Sequence, residues 1–406
     1  MTIGSIRTPP WARIPYDIYS DPSIYEREQE RIFWGRSWNY VGLEAEIPRH
    51  GDFKRTAVGD RPVVLARDKD GSIGVFENRC AHRGVAFCYR THGNAKALQC
   101  PYHQWTYDLR GNLIGIPFRK GFQGQGGLPD DFDPAEHSLT KLSVTTRNGV
   151  IFASYADGME PIEAYLGEIL PWFDRMFDGR ELRVLGYWRQ RIECNWKLII
   201  ENIRDPYHAT LLHVFLVSFG LNRADQPGRV VFDSHGRHYA AMNERLDRDA
   251  SAEAKREMKS IMDLQLEGPK LLDVIREFPG RETLVMQTIW PNIILQQQSN
   301  ALAIRQVITT GDPGGFDFHW TVFGYATDDE AMTQRRLRLA NLMGPSGLVS
   351  IDDTEVVELT QKGTGPFSEA QGVIEMGGLT TGDEDHVITE GPLRAFHKYY
   401  REVMGL

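Results

Sequence analysis

Two short mixed pairs of cysteine and histidine constrain this chain more than any other feature. The first pair is Cys80-Ala-His82 and the second is Cys100-Pro-Tyr-His103. A chain with 4 cysteines and 12 histidines would carry both spacings by chance in roughly 1% of cases. Each pair is short enough to lie on one loop, so two loops can hold one metal centre. Four cysteines are too few for a disulfide scaffold.

Two kinds of metal centre use these ligand types. A structural zinc site usually takes Cys-x-x-Cys followed by paired histidines. A [2Fe–2S] centre in which two cysteines hold one iron and two histidines the other takes one of each from both loops. The mixed pairs favour the iron–sulfur centre over zinc. The other cysteines, Cys88 and Cys194, are expected to be small buried residues, and His92 a loop histidine.

A second group of ligand types follows in ENIRDPYHATLLH (201–213). His208 and His213 are five residues apart, which is ~140° around an ideal helix. They can bind one metal only if the helix breaks or bends between them. Asp205, three residues before His208, is expected to orient that imidazole. An iron site with two histidines also needs a carboxylate; Asp352 and Asp353 are candidates that the residues alone do not rank.

Composition excludes several classes of function. The net charge of −9 argues against nucleic acid and anionic membranes as main partners, because both select basic patches. We find no apolar segment of the ~18 residues that a membrane span needs and no signal peptide, so a cytoplasmic location is expected. The glycines at 121–127 do not follow a strand-to-helix fingerprint. We therefore expect no direct NAD site and a reductant that is oxidised on another protein.

Periodicity predicts an α+β fold with two main domains. The expected divisions are an N-terminal helical segment (1–37), an antiparallel β-domain (38–155) and a second domain (156–406) in which helices flank an antiparallel sheet. A glycine-rich loop is expected at 121–134. Predicted strands are 62–66, 73–76, 97–100, 149–153 and several within 283–325. Predicted helices are 22–36, 160–180, 195–215, 328–342, 347–362 and 391–404.

With these residues in place, the chain resembles the α subunit of a Rieske non-heme iron ring-hydroxylating oxygenase from about residue 30 to its end. The resemblance lies in ENRCAHRG, CPYHQW, ENIRDPYHATLLH and ANLMGPSG. Within the family it is similar to the branch of salicylate 5-hydroxylase and the anthranilate, ortho-halobenzoate and terephthalate dioxygenases. The resemblance implies a Rieske β-domain and a helix-grip catalytic domain. It also implies cluster ligands Cys80, His82, Cys100 and His103, and mononuclear iron ligands His208, His213 and Asp353.

The resemblance further implies a multicomponent enzyme. Electrons would come one at a time from a ferredoxin or reductase to the [2Fe–2S] cluster, and from there to Fe(II). In the family this transfer runs between neighbouring subunits of a trimer (α3, or α3β3 with a small β subunit). Asp205 would then connect a cluster histidine of one subunit, His103, to His208 of the next. A local helix cap is the simpler role for Asp205.

A carboxylated aromatic substrate would need a cation. Arg305 lies out of phase with Leu302 and Ile304 of its strand, so its side chain is expected to face inward to the pocket. Arg394, on the last helix, is a second candidate and Asn202 a third substrate contact. Alanines in RHYAA (237–241) favour an ortho-substituted benzoate such as salicylate, hydroxylated at C5, over terephthalate. Cis-dihydroxylation of anthranilate, 2-halobenzoate or terephthalate stays open, as do a non-catalytic Rieske electron carrier and a zinc-binding structural protein.

Overall fold

The computed structural model describes residues 8–258, 261, 264 and 266–406. The chain divides into two units. Phe33–Ile162 form one, here named the β unit, and Met1–Ile32 with Glu163–Leu406 form the other, the helix–sheet unit. The domain boundaries predicted from the sequence stay predictions, and residues 1–7 of the predicted N-terminal segment lie outside the described residues.

The β unit consists of three small antiparallel sheets. The predicted strands at 62–66, 73–76, 97–100 and 149–153 are confirmed, within a residue or two at their ends. Turn chemistry joins them: Gly71 and Gly111 have φ of 86° and 79°, which suits glycine because it has no Cβ. In sheet order, the strands are Ser143–Arg147, Val150–Ser154 and Asn39–Leu43; Ile73–Glu77, Arg61–Arg67, Asp52–Val58 and His92–Asn94; and Leu98–Gln99, Thr106–Tyr107 and Leu113–Gly115.

The helix–sheet unit is built on one seven-stranded antiparallel sheet. Its strands in order are Leu182–Ile192, Phe316–Tyr325, Ala301–Thr309, Ile293–Gln298, Leu284–Ile289, Tyr239–Asn243 and Gly228–Phe232. The four strands predicted within 283–325 are confirmed. The sequence did not predict the other three. Leu182–Ile192 carries exposed arginines, which weaken the hydrophobic alternation by which a strand is recognised.

Helices accompany this sheet. Their bounds are Pro22–Glu28 (continued by a π-helical turn, Gln29–Phe33), Ile162–Leu166, Leu170–Met176, Trp196–Ile203, Pro206–Ala209, Val214–Ser218, Ala252–Glu257, Glu330–Met343, Ser350–Thr364 and Gly391–Met404. The last helix has Pro392 in its first turn and is followed by Gly405, whose φ is 68°, as predicted from proline near the start and glycine past the end. The predicted α+β class is confirmed. Among the described helices, none has the length and apolar character needed to cross a membrane.

Candidate metal centres and substrate cavity

The two cysteine–histidine pairs of the β unit lie on loops with the same backbone hydrogen bonds. Cys80 and Cys100 each donate the backbone N–H to the carbonyl five residues later, at 2.8 and 2.9 Å. Each carbonyl accepts the N–H from four residues later, at 2.9 and 3.0 Å. That fourth residue has positive φ in both loops, 73° at Gly84 and 58° at Gln104. The chain thus repeats one loop geometry to present two ligand pairs.

The cysteines and the histidines of these loops differ in burial. Cys80 and Cys100 are buried, His82 is exposed and His103 is half-buried. The two imidazole rings are 4.5 Å apart between centroids. Two thiols on the inner side and two imidazoles on the outer side fit a two-iron centre with one iron held by each ligand type. The Tyr107 hydroxyl lies 3.2 Å from the Cys80 sulfur, where it can hydrogen-bond a thiolate.

The predictions for the two cysteines outside the pairs are confirmed by their burial. Trp105 is buried and stacks on His82, with ring centroids 4.9 Å apart. Cys88 and Cys194 are buried, and burial raises the pKa of both thiols, as expected of inert small residues. The prediction for His92 was wrong, because this residue lies in the strand His92–Asn94 and its Nε2 is 3.5 Å from Glu46 Oε1.

In the helix–sheet unit, the helix breaks where the two histidines require it. The helix Trp196–Ile203 ends before Asp205, His208 lies in the one-turn helix Pro206–Ala209, and His213 is the N-cap of Val214–Ser218. The ring of each histidine then turns towards Asp353. Asp353 Oδ1 is 3.4 Å from His208 Nε2 and 3.2 Å from His213 Nε2. One ligand atom from each of the three residues lies within 4.8 Å of the others.

Both imidazoles also face a second carboxylate with their other nitrogen. His208 Nδ1 is 3.8 Å from Asp205 Oδ2, and His213 Nδ1 is 3.3 Å from Asp352 Oδ2. A carboxylate behind a ligating histidine fixes its tautomer and orientation. Asp353 is therefore placed to ligate, and Asp352 is placed to orient His213. The residues alone do not rank these adjacent acids, and the resemblance implies Asp353 as the ligand.

Asp205 serves as a helix cap in the structure. Its Oδ1 accepts the backbone N–H groups of Tyr207 and His208 at 3.0 and 3.2 Å. Its other oxygen faces His208, as described above. Burial raises the pKa of the Asp205 carboxyl. For Asp353, burial also acts to raise the pKa, but hydrogen bonds and charge from His208 and His213 outweigh it and lower the pKa.

A cavity opens beside these ligands, and one face of the sheet forms its wall. Cross-strand pairing puts lining side chains of this face in rows. The outer row holds Asn243, Leu284 and Gln298; the middle row Ala241, Met286 and Gln296; the inner row Tyr239 and Arg305. The three candidate iron ligands and Asp205 line the same cavity.

Arg305 is buried in the cavity wall, with 2% of its surface exposed. Its Nε donates to Gln296 Oε1 at 3.0 Å, and its guanidinium lies 4.1 Å from the centroid of the Trp320 ring. No carboxylate among the described residues forms an ion pair with it, and Nη1 has no hydrogen-bond partner. Burial lowers the pKa of Arg305 to about 10, which still leaves the guanidinium charged at neutral pH.

The structure does not bring the other two substrate candidates to this wall. Arg394 donates to the carbonyls of Ile374, Met376 and Thr380 at 2.9–3.0 Å, so this guanidinium holds a loop instead of lining the cavity. Asn202 is not among the described residues that line the cavity. Its Nδ2 lies 3.5 Å from His208 Nε2, the nitrogen that faces Asp353. The sequence also missed Asn243 and the two lining glutamines, because an amide within a strand carries no motif.

Comparison with known protein families covers both units. Residues 37–126 match the Rieske [2Fe-2S] domain, and residues 179–406 match the ring hydroxylating alpha subunit (catalytic domain). Among solved structures, the chain is similar to naphthalene 1,2-dioxygenase from Rhodococcus sp. bound to indole, with a TM-score of 0.80 and 23% identity over 97% of this chain and 94% of that one. This structural likeness concerns the fold.

Curated relatives are more similar in sequence. The large oxygenase component of salicylate 5-hydroxylase from Ralstonia sp is 49% identical over 97% of this chain and 95% of the relative. The large subunit of anthranilate 1,2-dioxygenase from Burkholderia cepacia is 43% identical over 97% and 94%. The terminal oxygenase component subunit alpha 2 of terephthalate 1,2-dioxygenase from Comamonas sp is 39% identical over 97% and 95%.

Proposed function

We propose that this chain, which belongs to the family of ring-hydroxylating oxygenase α subunits, hydroxylates the ring of an aromatic carboxylate. The family membership confirms the predicted resemblance and enzyme class, and with them a Rieske [2Fe–2S] cluster and a mononuclear iron as cofactors. A non-catalytic Rieske electron carrier is thereby excluded. The preferred substrate in this proposal is an ortho-substituted benzoate such as salicylate, hydroxylated to gentisate.

We assign the mononuclear iron to His208, His213 and Asp353. Three observations support the assignment: the ligand atoms converge, the buried Asp353 Oδ1 lies 3.4 and 3.2 Å from the Nε2 atoms of His208 and His213, and two histidines with one carboxylate are a donor set of non-heme iron oxygenases. Asp352 orients the His213 imidazole from behind, and Asp205 Oδ2 faces His208 Nδ1 at 3.8 Å, beyond hydrogen-bond distance. The cluster is assigned to Cys80, His82, Cys100 and His103, on the two matching loops.

When bound, the iron supplies O2 activation and the cluster supplies electrons one at a time. The protein's own task is to hold the ring beside His208, His213 and Asp353 and to fix its orientation. The wall of the cavity does this with a few polar groups among apolar ones, as in most small-molecule sites.

The observation that carries the substrate class is the unpaired guanidinium of Arg305. A buried charge without a partner is costly, and a carboxylate can supply a bidentate partner of matching geometry. Gln296 and Trp320 hold the guanidinium in place before a substrate arrives. An aromatic acid bound here would present its ring to the cavity that His208 and Asp353 also line.

The choice of an ortho-substituted benzoate is supported by the relatives and by Ala241. The relatives named above include enzymes of salicylate and anthranilate. Ala241 lines the cavity, where its methyl group offers no hydroxyl to a second carboxylate, so terephthalate is disfavoured. Dihydroxylation of anthranilate is the second candidate, since the same ligand set serves both outcomes and the anthranilate relative is a dioxygenase by name.

We also propose partners. Electrons come from a separate ferredoxin or reductase, and a smaller β subunit completes a trimer-based assembly. The names of the relatives, a large oxygenase component and a large subunit, support a multicomponent enzyme. In such a trimer, Asp205 would link His208 to His103 of a neighbouring subunit through its oxygen that faces His208.

A single-turnover assay tests the proposal. The reduced protein receives O2 with salicylate, anthranilate, 2-chlorobenzoate or terephthalate, and products are identified by mass. Gentisate from salicylate is expected. Catechol from anthranilate or 2-chlorobenzoate would instead establish a dihydroxylating enzyme, and turnover of none of these acids by protein with an intact Rieske spectrum would refute the substrate class.

Two substitutions of Arg305 test its role in binding the carboxylate. Arg305→Leu should weaken carboxylate binding by roughly 2–4 kcal/mol, because it removes a buried charged partner. Arg305→Lys keeps the charge and loses the bidentate geometry, so its affinity should lie between the two. An unchanged dissociation constant in Arg305→Leu, measured by calorimetry without reductant, would remove this residue from the site.

A further inference from the structure

The cavity has a second polar region that the proposed mechanism does not use. Asn243 ends the strand Tyr239–Asn243 and lines the cavity with 2% of its surface exposed. Neither Oδ1 nor Nδ2 of its amide has a hydrogen-bond partner among the described residues. Leaving such buried groups unpaired is costly. A bound ligand that completes these hydrogen bonds would account for a buried amide without protein partners.

Two neighbours support this reading of Asn243. Asn222 lines the same cavity, is 6% exposed, and its Oδ1 is likewise buried without a partner in the described part of the chain. Gly228, paired with Asn243 across the sheet, leaves the space that the amide occupies: a Cβ there would lie 3.4 Å from Asn243 Nδ2 and 2.7 Å from Val387. Local packing therefore accommodates Asn243 without satisfying its amide.

This amide region is separate from the Arg305 end. Asn243 lies in the outer row of the cavity wall and Arg305 in the inner row, with the middle row between them. The glutamines between them are already engaged: Gln296 accepts from Arg305 and donates to Gln298 Oε1 at 2.8 Å. Successive rows on one face are ~7 Å apart, so the outer and inner rows are ~14 Å apart. The Arg305 side chain spans part of this distance, because its Nε reaches Gln296 in the middle row. One aromatic acid can therefore contact both ends only through substituents on opposite sides of its ring.

We infer that Asn243 and Asn222 form a subsite for a neutral hydrogen-bonding substituent, a hydroxyl or an amine, on the ring of the substrate. An amide offers both a donor and an acceptor, which suits either group. A second carboxylate would find no cation there, because Arg305 is the only guanidinium or ammonium among the described lining residues. The inference rests on the proposed aromatic carboxylate class and not on its ortho substituent: one end binds the acid, and the other binds a polar substituent on the far side of the ring.

Equilibrium binding without reductant tests the subsite apart from activity. The probes are benzoate, its 2-, 3- and 4-hydroxy derivatives, and terephthalate, titrated into the full-length holoenzyme by calorimetry. At least one hydroxybenzoate should bind about tenfold more tightly than benzoate, as a buried hydrogen bond of this kind is worth about 1.4 kcal/mol. The preferred isomer then measures the separation of the two ends. Terephthalate should bind more weakly than that isomer.

Asn243→Leu, which keeps the size and removes the amide, should abolish the preference while changing the benzoate affinity less than about twofold. Unchanged benzoate binding also shows that the variant is folded. Asn222→Leu should reduce the preference as a second, independent variant. Asn341→Leu, the same substitution at an exposed position outside the cavity lining, is the matched control and should keep it.

Two results would overturn the inference: no hydroxybenzoate preferred by the wild type, or a preference that survives in both asparagine variants. Failure of the proposed substrate class looks different. In that case none of the carboxylates binds, and phenol against benzene becomes the probe pair. Phenol preferred by the wild type and lost in Asn243→Leu would keep the amide subsite, and no preference would refute it as well.

Discussion

The candidate ligands of the β unit come from two loops that lie close in sequence and share one set of backbone hydrogen bonds. Those of the helix–sheet unit come from a broken helix and from Ser350–Thr364, far along the chain. The first set places its imidazoles towards the surface; the second encloses its ligands, with His213 and Asp353 buried. One centre is thus local and exposed on its histidine side, and the other is long-range and enclosed.

This difference follows from what each centre has to do. Exposed imidazoles put the edge of a cluster within reach of an electron donor, so a pair of loops is sufficient. A centre where an organic substrate reacts needs a cavity, and only packed elements distant in sequence enclose one. Mutation of one centre should therefore leave the other intact, because the two centres share no candidate ligand.

The largest effect is expected from Asp353→Ala, which should remove one centre and leave the other. Removing the carboxylate leaves only two histidines, so the mononuclear iron should be lost and hydroxylation should fall by at least about a thousandfold. The cluster should stay, so that iron drops from about three to about two per chain while sulfide is unchanged. Iron and sulfide analysis with the visible spectrum measures both.

The reciprocal variant, Cys100→Ser, serves as the control for that experiment. It should lose the sulfide and the Rieske spectrum and keep iron at His208 and His213. If Asp353→Ala retained its full iron content, or lost the cluster together with the iron, the separation of the two centres would be wrong.

Asp205 tests the connection between the centres. Asp205→Ala removes the helix cap, at about 1 kcal/mol of stability, as well as the carboxylate facing His208. Asp205→Asn keeps a capping oxygen and removes the charge. Both variants should retain both metals and slow cluster reoxidation by about a hundredfold in single turnover, as expected for a carboxylate behind a ligand. Wild-type rates in Asp205→Asn would show that the cap is its whole role.

An acid-dependent contribution is expected in the β unit. Burial acts to raise the pKa of Glu46, but Lys54 Nζ at 2.7 Å and the hydrogen bonds from His92 and Leu43 outweigh it and hold that pKa at about 2. The unfolded value is about 4.3, so the folded pKa is depressed and the carboxylate stabilises the fold above about pH 5. That contribution, roughly 2–3 kcal/mol, should fade as the pH drops from about 5 to about 2.

Urea unfolding of wild type and Glu46→Gln, followed by the visible circular dichroism of the cluster, measures this contribution. The wild type should be more stable near pH 6.5, and the difference should shrink by at least about half near pH 3. A difference of equal size at both pH values would contradict the assignment of the depressed pKa to this buried pair.

The difference between the local centre and the long-range centre also explains how much the sequence could predict. Spacing alone predicted the four candidate ligands of the β unit, because each pair is a local motif. Spacing also required the helix to break between His208 and His213, and it does. It could not rank Asp352 against Asp353, since adjacent acids differ only in which one the helix turns towards the histidines. That choice depends on packing between elements far apart in sequence.

The residues of the cavity wall also show what the sequence could and could not predict. Strand phase placed Arg305 correctly, because alternation decides which face of a sheet a residue occupies. The role of Arg394 as a substrate contact stays a prediction; its donors reach the carbonyls of Ile374 and Met376, which nothing in its own helix indicates. Asn243 was missed entirely, because its significance lies in hydrogen bonds that it does not make within the described chain.

Asp352 provides the smallest and finest test of the comparison. In the enclosed centre its Oδ2 lies 3.3 Å from His213 Nδ1, on the side of the ring away from Asp353. Asp352→Ala should leave the iron ligands in place and weaken iron binding by about tenfold, the usual effect of losing a carboxylate behind a ligating histidine. The rate at which a chelator removes the mononuclear iron measures this, and the cluster spectrum should not change.

Asp352→Asn distinguishes orientation from charge. Its amide oxygen can still accept the N–H of His213 Nδ1, so the ring keeps its tautomer. Iron release from Asp352→Asn should therefore stay within about threefold of the wild type, well below the change in Asp352→Ala. Equal, rapid loss from both variants would mean that the negative charge stabilises the iron directly. Equal retention in both would mean that packing alone orients His213, and that this enclosed centre needs no second carboxylate.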